Sequence, residues 1–261
     1  MQAFDYSNPD SLADATRRAG ADGAKFLAGG QSLLASMKLG LAAPEALVDL
    51  AAIADLKGIS VAGGVVKIGA MCTHAAVAAN KEVAAAIPAL ADLAGKIGDR
   101  QVRNRGTLGG SLANNDPAAC YPAAALGLGA TVHTNTRDIA ADDFFTGLYE
   151  TALKEGELIT AVSFPVPDKA GWQKFKQPAS RFSIVGVFVS KGSQGVRVAV
   201  TGAGACVFRA KDLEAKLAAN WSAAALAGSA VSADGLNTDL HGSAEYRAAL
   251  IPVLAGRAVT G

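Results

Sequence analysis

The chain has 261 residues, 51% of them hydrophobic and 18% charged, with 24 Lys and Arg against 23 Asp and Glu. At ~100–200 residues per domain this is one large domain or a few packed lobes, long enough to build a core without disulfides and too apolar for disorder. The near-neutral charge lacks the basic excess of a nucleic-acid binder, no apolar run reaches the ~18 residues of a membrane helix, and the N-terminus lacks the basic-then-apolar pattern of a secretory signal.

Asn8 and Pro9 start a helix that Gly20 ends. Residues 24–28 read as a short buried strand running into Gly29-Gly30-Gln31-Ser32, residues 33–39 as a helix and 46–50 as another strand, so the opening is a small α/β lobe. A second lobe starts near Gly58: 59–61 and 65–68 flank Gly63-Gly64 as a hairpin, Thr73 caps a helix to about Asn80, and another helix spans 88–98. Arg103-Asn104-Arg105-Gly106 leads into a long Gly/Asn-rich turn; 120–129 is helical, 131–134 and 158–164 are strands, and Pro165 and Pro167 end the last of them. In the final third, β-branched runs at 182–190 and 196–201 are split by Gly192 and Gly195 into a hairpin, and Ala-rich helices follow over 211–219 and 244–258. The expected class is α+β, with lobes over 1–55, 56–168 and 169–261. The low charge and high apolar content imply surface hidden against partners.

Two loops carry most of the chemical information. Ala28-Gly29-Gly30-Gln31-Ser32-Leu33 lies between a strand and a helix, and Thr107-Leu108-Gly109-Gly110-Ser111 follows Arg103-Asn104-Arg105-Gly106. Each sets paired glycines beside a hydroxyl. Glycine lets the main chain approach a ligand, successive N–H groups form an anion-binding nest, and a helix start adds unpaired donors. Two such loops suit a pyrophosphate gripped from two sides, although Gly-Gly alone also makes ordinary turns. Neither loop is G-x-G-x-x-G or a P-loop. Thr201-Gly202-Ala203-Gly204 follows a strand, but Val207 replaces the third glycine of the dinucleotide fingerprint, and the segment reads as a tight strand-to-helix turn. Cys72, Cys120 and Cys206, and His74, His133 and His241, are too dispersed for a metal or iron–sulfur set, and three scattered cysteines fit a reducing, cytoplasmic compartment. His74 and His241 stand at expected helix starts and read as capping or packing residues. The cluster Arg100, Arg103, Arg105 has two readings, a contact to phosphate or partner and an ordinary solvated face.

The order and spacing of these loops resemble the FAD-binding medium subunits of the molybdenum hydroxylases, with most similarity to the carbon monoxide dehydrogenase group. The resemblance spans nearly the whole chain and includes Ile97-Gly98-Asp99-Arg100-Gln101-Val102-Arg103, Lys174-Phe175-Lys176-Gln177-Pro178-Ala179-Ser180-Arg181-Phe182 and Asp239-Leu240-His241-Gly242-Ser243. It implies a fold of the PCMH/vanillyl-alcohol-oxidase type, in which two α/β lobes hold FAD in a cleft and a third lobe covers the isoalloxazine side. It also implies a heterotrimer, sometimes doubled, whose large subunit carries the molybdenum cofactor and whose small subunit carries two [2Fe–2S] clusters; electrons pass through the clusters to FAD and on to an external acceptor. The residues it points to for FAD are Ala28, Gly29, Gly30, Gln31, Ser32 and Leu33; Thr107, Gly109, Gly110 and Ser111; Ile159 as an apolar neighbour; and Lys176, which aligns with a flavin-contacting lysine of xanthine dehydrogenase relatives and reads otherwise as an exposed strand lysine. Many relatives place a cofactor-contacting Asp where Cys120 stands here; Cys120, Asp116 or a backbone group are the candidates to replace it. A stand-alone flavin oxidoreductase of the same fold, and a scaffold that has lost FAD, are the alternatives, the latter disfavoured by the intact glycines.

Overall fold

A computed structural model describes residues 2–261. The first lobe is a three-stranded parallel sheet in which β3 (Ala46–Asp49) lies between β1 (Asp5–Ser7) and β2 (Ala24–Leu27). Parallel neighbours need crossovers, and α1 (Leu12–Ala19) and α2 (Leu33–Lys38) supply them. The first helix begins later than Asn8-Pro9 suggests. Ser11 is its cap, accepting from the Asp14 amide at 3.3 Å, while the Asn8 side chain donates to the Asp49 carbonyl and ties the incoming chain to the central strand. Ala15, Ala19, Val48, Leu50, Ile53 and Leu56 form the core of this lobe together with Met71 and Leu158 from the next.

The second lobe is an antiparallel sheet in the order β4 (Ile59–Ala62), β5 (Val65–Gly69), β10 (Ile159–Pro165), β6 (Thr131–Thr134), β7 (Asp138–Ala140). Its helices are α3 (His74–Ala79), α4 (Lys81–Ala86), α5 (Pro88–Gly95), α6 (Arg100–Arg105), α7 (Leu108–Asn114), α8 (Tyr121–Leu128) and α9 (Ala141–Phe144), with the short hairpin β8 (Phe145–Gly147) and β9 (Glu150–Thr151) before β10. The Gly/Asn-rich stretch expected as a turn thus holds the helix α7, and α6 precedes it. Asp99 caps α6 and Thr107 caps α7. The low helix propensity of Gly109 and Gly110 is offset by that cap and by complete burial of Leu108 and Leu112. The helix over Lys81–Ala86 also escapes sequence reading; the Asn80 carboxamide caps it. Every residue of α8 is buried. A helix apolar all round must be covered on all sides, and it packs between the rest of its own lobe and the third lobe, Gly127 lying against Phe188.

The third lobe is an antiparallel sheet, β11 (Lys169–Lys176), β12 (Ser183–Gly192), β13 (Gly195–Thr201), β14 (Phe208–Arg209), with α10 (Lys211–Ala219) and α11 (Ala244–Thr260) packed on it. Apart from Lys176, read as a strand lysine, the strand β11 has no expected bounds, because lysines and Gln173 interrupt its apolar alternation. The G-x-G segment does not enter a helix directly. It bends back into β14, which pairs with β13 before α10 begins. At Gly202 (φ 83°) a Cβ would stand 2.5 Å from the Ser183 carbonyl. Arg247 donates to the Ile184 and Gly202 carbonyls at 2.6 and 2.9 Å, so this turn is closed by protein.

Candidate functional site

The three lobes meet around a cleft of about 570 Å³, within the usual range for a small-molecule site. Twelve of the thirteen residues singled out from sequence lie on its wall: Ala28, Gly29, Gly30, Gln31, Ser32 and Leu33; Thr107, Gly109, Gly110 and Ser111; Cys120 and Ile159. Lys176 does not. It is exposed at the end of β11, where the register with β12 shifts between Phe175 and Lys176, so the alternation that directs Lys174 to the cleft breaks before Lys176. The wall also includes Met71, His74, Ile97, Gly98, Leu153 and Lys174.

The two glycine loops touch. A Cβ at Gly29 would overlap the Arg105 carbonyl, so Gly29 is where one loop's backbone crosses the other's. Beyond that contact they differ. Among the described residues the amides of residues 29–35 have no acceptor, and Ser32 makes no side-chain cap. Unpaired amides in the first helical turn are ordinary, but here the run extends back through Gln31, Gly30 and Gly29. In the second loop the donors are consumed: Leu108 bonds to the Cys72 carbonyl at 3.0 Å, Gly109 to Ala70 at 2.8 Å, Gly110 to the Thr107 hydroxyl at 3.1 Å and Ser111 to the Thr107 carbonyl at 3.0 Å. The glycines here give closeness; a Cβ at Gly109 would stand 2.6 Å from that of Ala70.

At the other end of the cleft, the Lys174 ammonium donates to the Lys96 carbonyl at 2.9 Å, the Arg181 carbonyl at 2.9 Å and the buried Cys120 sulfur at 3.4 Å. Asp116 also lines the cleft, but Oδ1 accepts from the Ala118 amide at 2.8 Å and Oδ2 from the Tyr149 hydroxyl at 3.3 Å, so it shapes the turn into α8. Arg103 is not a solvated member of a basic face: it donates to the Ile97 and Gly98 carbonyls and fixes the turn before the second loop. His74 is buried against Tyr121, its Nδ1 unpaired. Burial, reinforced by the Arg103 charge, pushes its pKa down to about 4, so the ring is neutral at pH 7. Glu157 is held ionised, its pKa lowered to about 2, chiefly by the Arg137 guanidinium and also by the Lys154 amide and two threonine hydroxyls. Among the described residues no three His, Cys, Asp or Glu side chains gather as a metal site, and no helix is long and apolar enough to cross a membrane.

The chain is similar to known proteins over nearly its whole length. The family model for the FAD binding domain in molybdopterin dehydrogenase matches residues 2–167. The chain is 35% identical to the nicotine 6-hydroxylase medium subunit of Paenarthrobacter nicotinovorans, covering 99% of this chain and 97% of that one. It is 34% identical to the carbon monoxide dehydrogenase medium chain of Hydrogenophaga pseudoflava, covering 98% and 96%. Among solved structures it superposes on the reconstituted CO dehydrogenase of Oligotropha carboxidovorans with a TM-score of 0.89 at 34% identity, over 99% of this chain and 97% of that one. It superposes equally on quinoline 2-oxidoreductase from Pseudomonas putida 86, with a TM-score of 0.89 at 30% identity, over 99% and 96%.

Proposed function

The chain belongs to the family of FAD-binding domains in molybdopterin dehydrogenases, and we propose that it is the medium subunit of a heterotrimeric molybdenum hydroxylase, receiving electrons from [2Fe–2S] clusters on a small partner and relaying them through FAD to an external acceptor. A large partner holds the molybdenum cofactor in this reading. The fold is the PCMH-type flavin fold of its relatives. What FAD supplies when bound is the ability to exchange electrons with a one-electron donor and with an acceptor of either kind.

The observation that carries the reading is the run of unpaired amides over residues 29–35 on the wall of a cleft of suitable volume. Anionic oxygens are the natural partners of such a run, so the first loop fits the diphosphate of FAD. Around it, Gln31 and Ser32 add side-chain donors, and the close-packed second loop, with Thr107, Gly109, Gly110 and Ser111, forms the opposite wall. Ile159 and Leu158 add buried apolar surface to the cleft wall. The chain's own tasks are binding, orientation and exclusion of solvent; no side chain here is assigned a proton. Relatives named for carbon monoxide and for nicotine stand at 34% and 35% identity, which supports a module that serves different reducing substrates, their choice residing in the large subunit.

The test is purification of the native complex. One FAD per copy of this chain, two co-purifying chains, and molybdenum and iron in the preparation are expected. A colourless chain that takes up no FAD, or a single yellow chain that oxidises a substrate unaided, would refute the proposal.

A further inference from the structure

The turn after α5 gathers cations from two lobes. Its carbonyls at Lys96, Ile97 and Gly98 accept from Lys174, from Arg103, and from Arg103 and Arg181, respectively. Arg103 belongs to the second lobe and stiffens the turn from within. Lys174 and Arg181 belong to the third lobe, and both act on the loop 177–182, whose Ser180, Arg181 and Phe182 line the cleft. Lys174 holds that loop through the Arg181 carbonyl, and Arg181 reaches across to Gly98 at 3.2 Å. An ammonium has three donors. Those of Lys174 join Lys96 and Cys120 of the second lobe to Arg181 of the third, across sequence separations of 78, 54 and 7 residues.

The loop's other hydrogen bonds are internal: the Ala179 and Ser180 amides bond to the Gln177 side-chain oxygen and the Phe182 amide to the Ser180 hydroxyl. The loop also closes on itself through the Arg181 amide to Gln177 and the Gln177 amide to Phe182, at 2.8 and 2.9 Å. Phe182 is half exposed and Arg181 sits in the left-handed region at φ 63°. A segment with few apolar contacts and exposed hydrogen bonds opens locally at low cost, so the cations that cross to the second lobe decide its position.

We propose that Lys174 is a positioning residue, a latch that fastens the 177–182 loop of the third lobe across the mouth of the cleft and so limits the escape of the bound cofactor. The link to FAD rests on the function proposed above; the fastening of the loop does not. The experiment is hydrogen exchange by mass spectrometry on the full chain, with whatever subunits accompany it, alongside the rate of FAD release followed by flavin fluorescence. Because hydrogen bonds to a charged group are worth more than neutral ones, Lys174→Met is expected to speed exchange over residues 177–183 about tenfold and FAD release by a similar factor. Lys174→Arg, which keeps the cation, is expected to return both rates toward the starting values, and Lys169→Met, on the same strand, to leave exchange over 177–183 unchanged. If Lys174→Met does not fold, Arg181→Gly carries the test. It removes the bond to Gly98 at a position whose backbone suits glycine, and a smaller acceleration of both rates is expected. Exchange over 177–183 as slow in the folded variants as in the parent protein would overturn the latch, whatever the flavin does. Fast exchange in Lys174→Met together with a parent protein that binds no FAD would uphold the fastening and overturn the flavin reading instead.

Discussion

The two glycine loops look alike as sequence and do opposite work. In the first, the amides of residues 29–35 have no partner among the described residues, and Gly30 sits at φ 70°, where other residues are strained. In the second, the amides are bonded within the protein, and Gly106 and Gly109 are glycine because His74 and Ala70 occupy the space a side chain would need. In the proposed function one loop binds and the other brings the lobes close together. A pair of glycines therefore says only that the backbone passes near something; the fate of its N–H groups says whether that something is a ligand or the protein.

This contrast makes unequal predictions for similar substitutions. Gly109→Val should have the largest effect, because its side chain would meet the Ala70 backbone as well as its Cβ, with the carbonyl only 2.9 Å away. A loss of about 3 kcal/mol or more in urea unfolding is expected, with flavin lost as a consequence. Gly30→Val should separate the two properties. Its new side chain meets the movable end of Leu34, and the left-handed backbone adds strain of about 1–2 kcal/mol. The folded protein should survive with FAD retention weakened about tenfold or more, equivalent to at least ~1.4 kcal/mol of binding. Equal loss of stability in the two variants, measured by urea unfolding, would erase the distinction between the loops.

Much of the architecture was legible because local signals agreed with burial. The Gly63-Gly64 hairpin, the Thr73 cap, the strands over 131–134 and 158–164 and the two last helices all stand within a few residues of their expected bounds. What stayed hidden depended on tertiary contacts. The helix α7 is made from residues that locally favour turns, and the burial of Leu108 and Leu112 with the Thr107 cap makes it helical. Lys174 was invisible for a related reason. A run holding Lys174 and Lys176 gives no hint that a register shift divides them, turning one toward the cleft and leaving the other exposed. The cleft wall itself was largely readable, since paired glycines beside hydroxyls are uncommon outside turns and backbone–ligand contacts. The division of labour between the loops was not, because hydrogen-bond partners such as Ala70 and Cys72 are set by the fold.

The second loop's structural role extends to pH. His74 packs against Gly106, and with a pKa near 4 in the folded state it stays neutral where an unfolded histidine, near 6.5, takes up a proton. The contribution is fully present above pH 6.5 and is lost as pH falls toward 4. The difference between the two states corresponds to about 3 kcal/mol. Urea unfolding at pH 7.5 and 4.5 should show the parent protein losing more stability than His74→Phe, by about 2–3 kcal/mol. A matching loss in both would mean that the ring titrates freely.

The smallest effect bears most directly on the contrast. The Thr107 hydroxyl accepts the Gly110 amide at 3.1 Å, and removing a cap of this kind costs about 1 kcal/mol. Thr107→Ala should lower stability by about that amount in urea unfolding. It also leaves the Gly110 amide free, so the second loop acquires one donor of the kind the first loop has in a run. If the loops differ as described, that single freed amide adds nothing to flavin retention, because one donor is not a nest and Gly109 and Ser111 remain bonded within the protein. Retention unchanged or modestly weakened is the expected result of a flavin-release assay. Tighter retention in Thr107→Ala would show that the second loop meets the anion as the first does and that its cap is a restraint on binding.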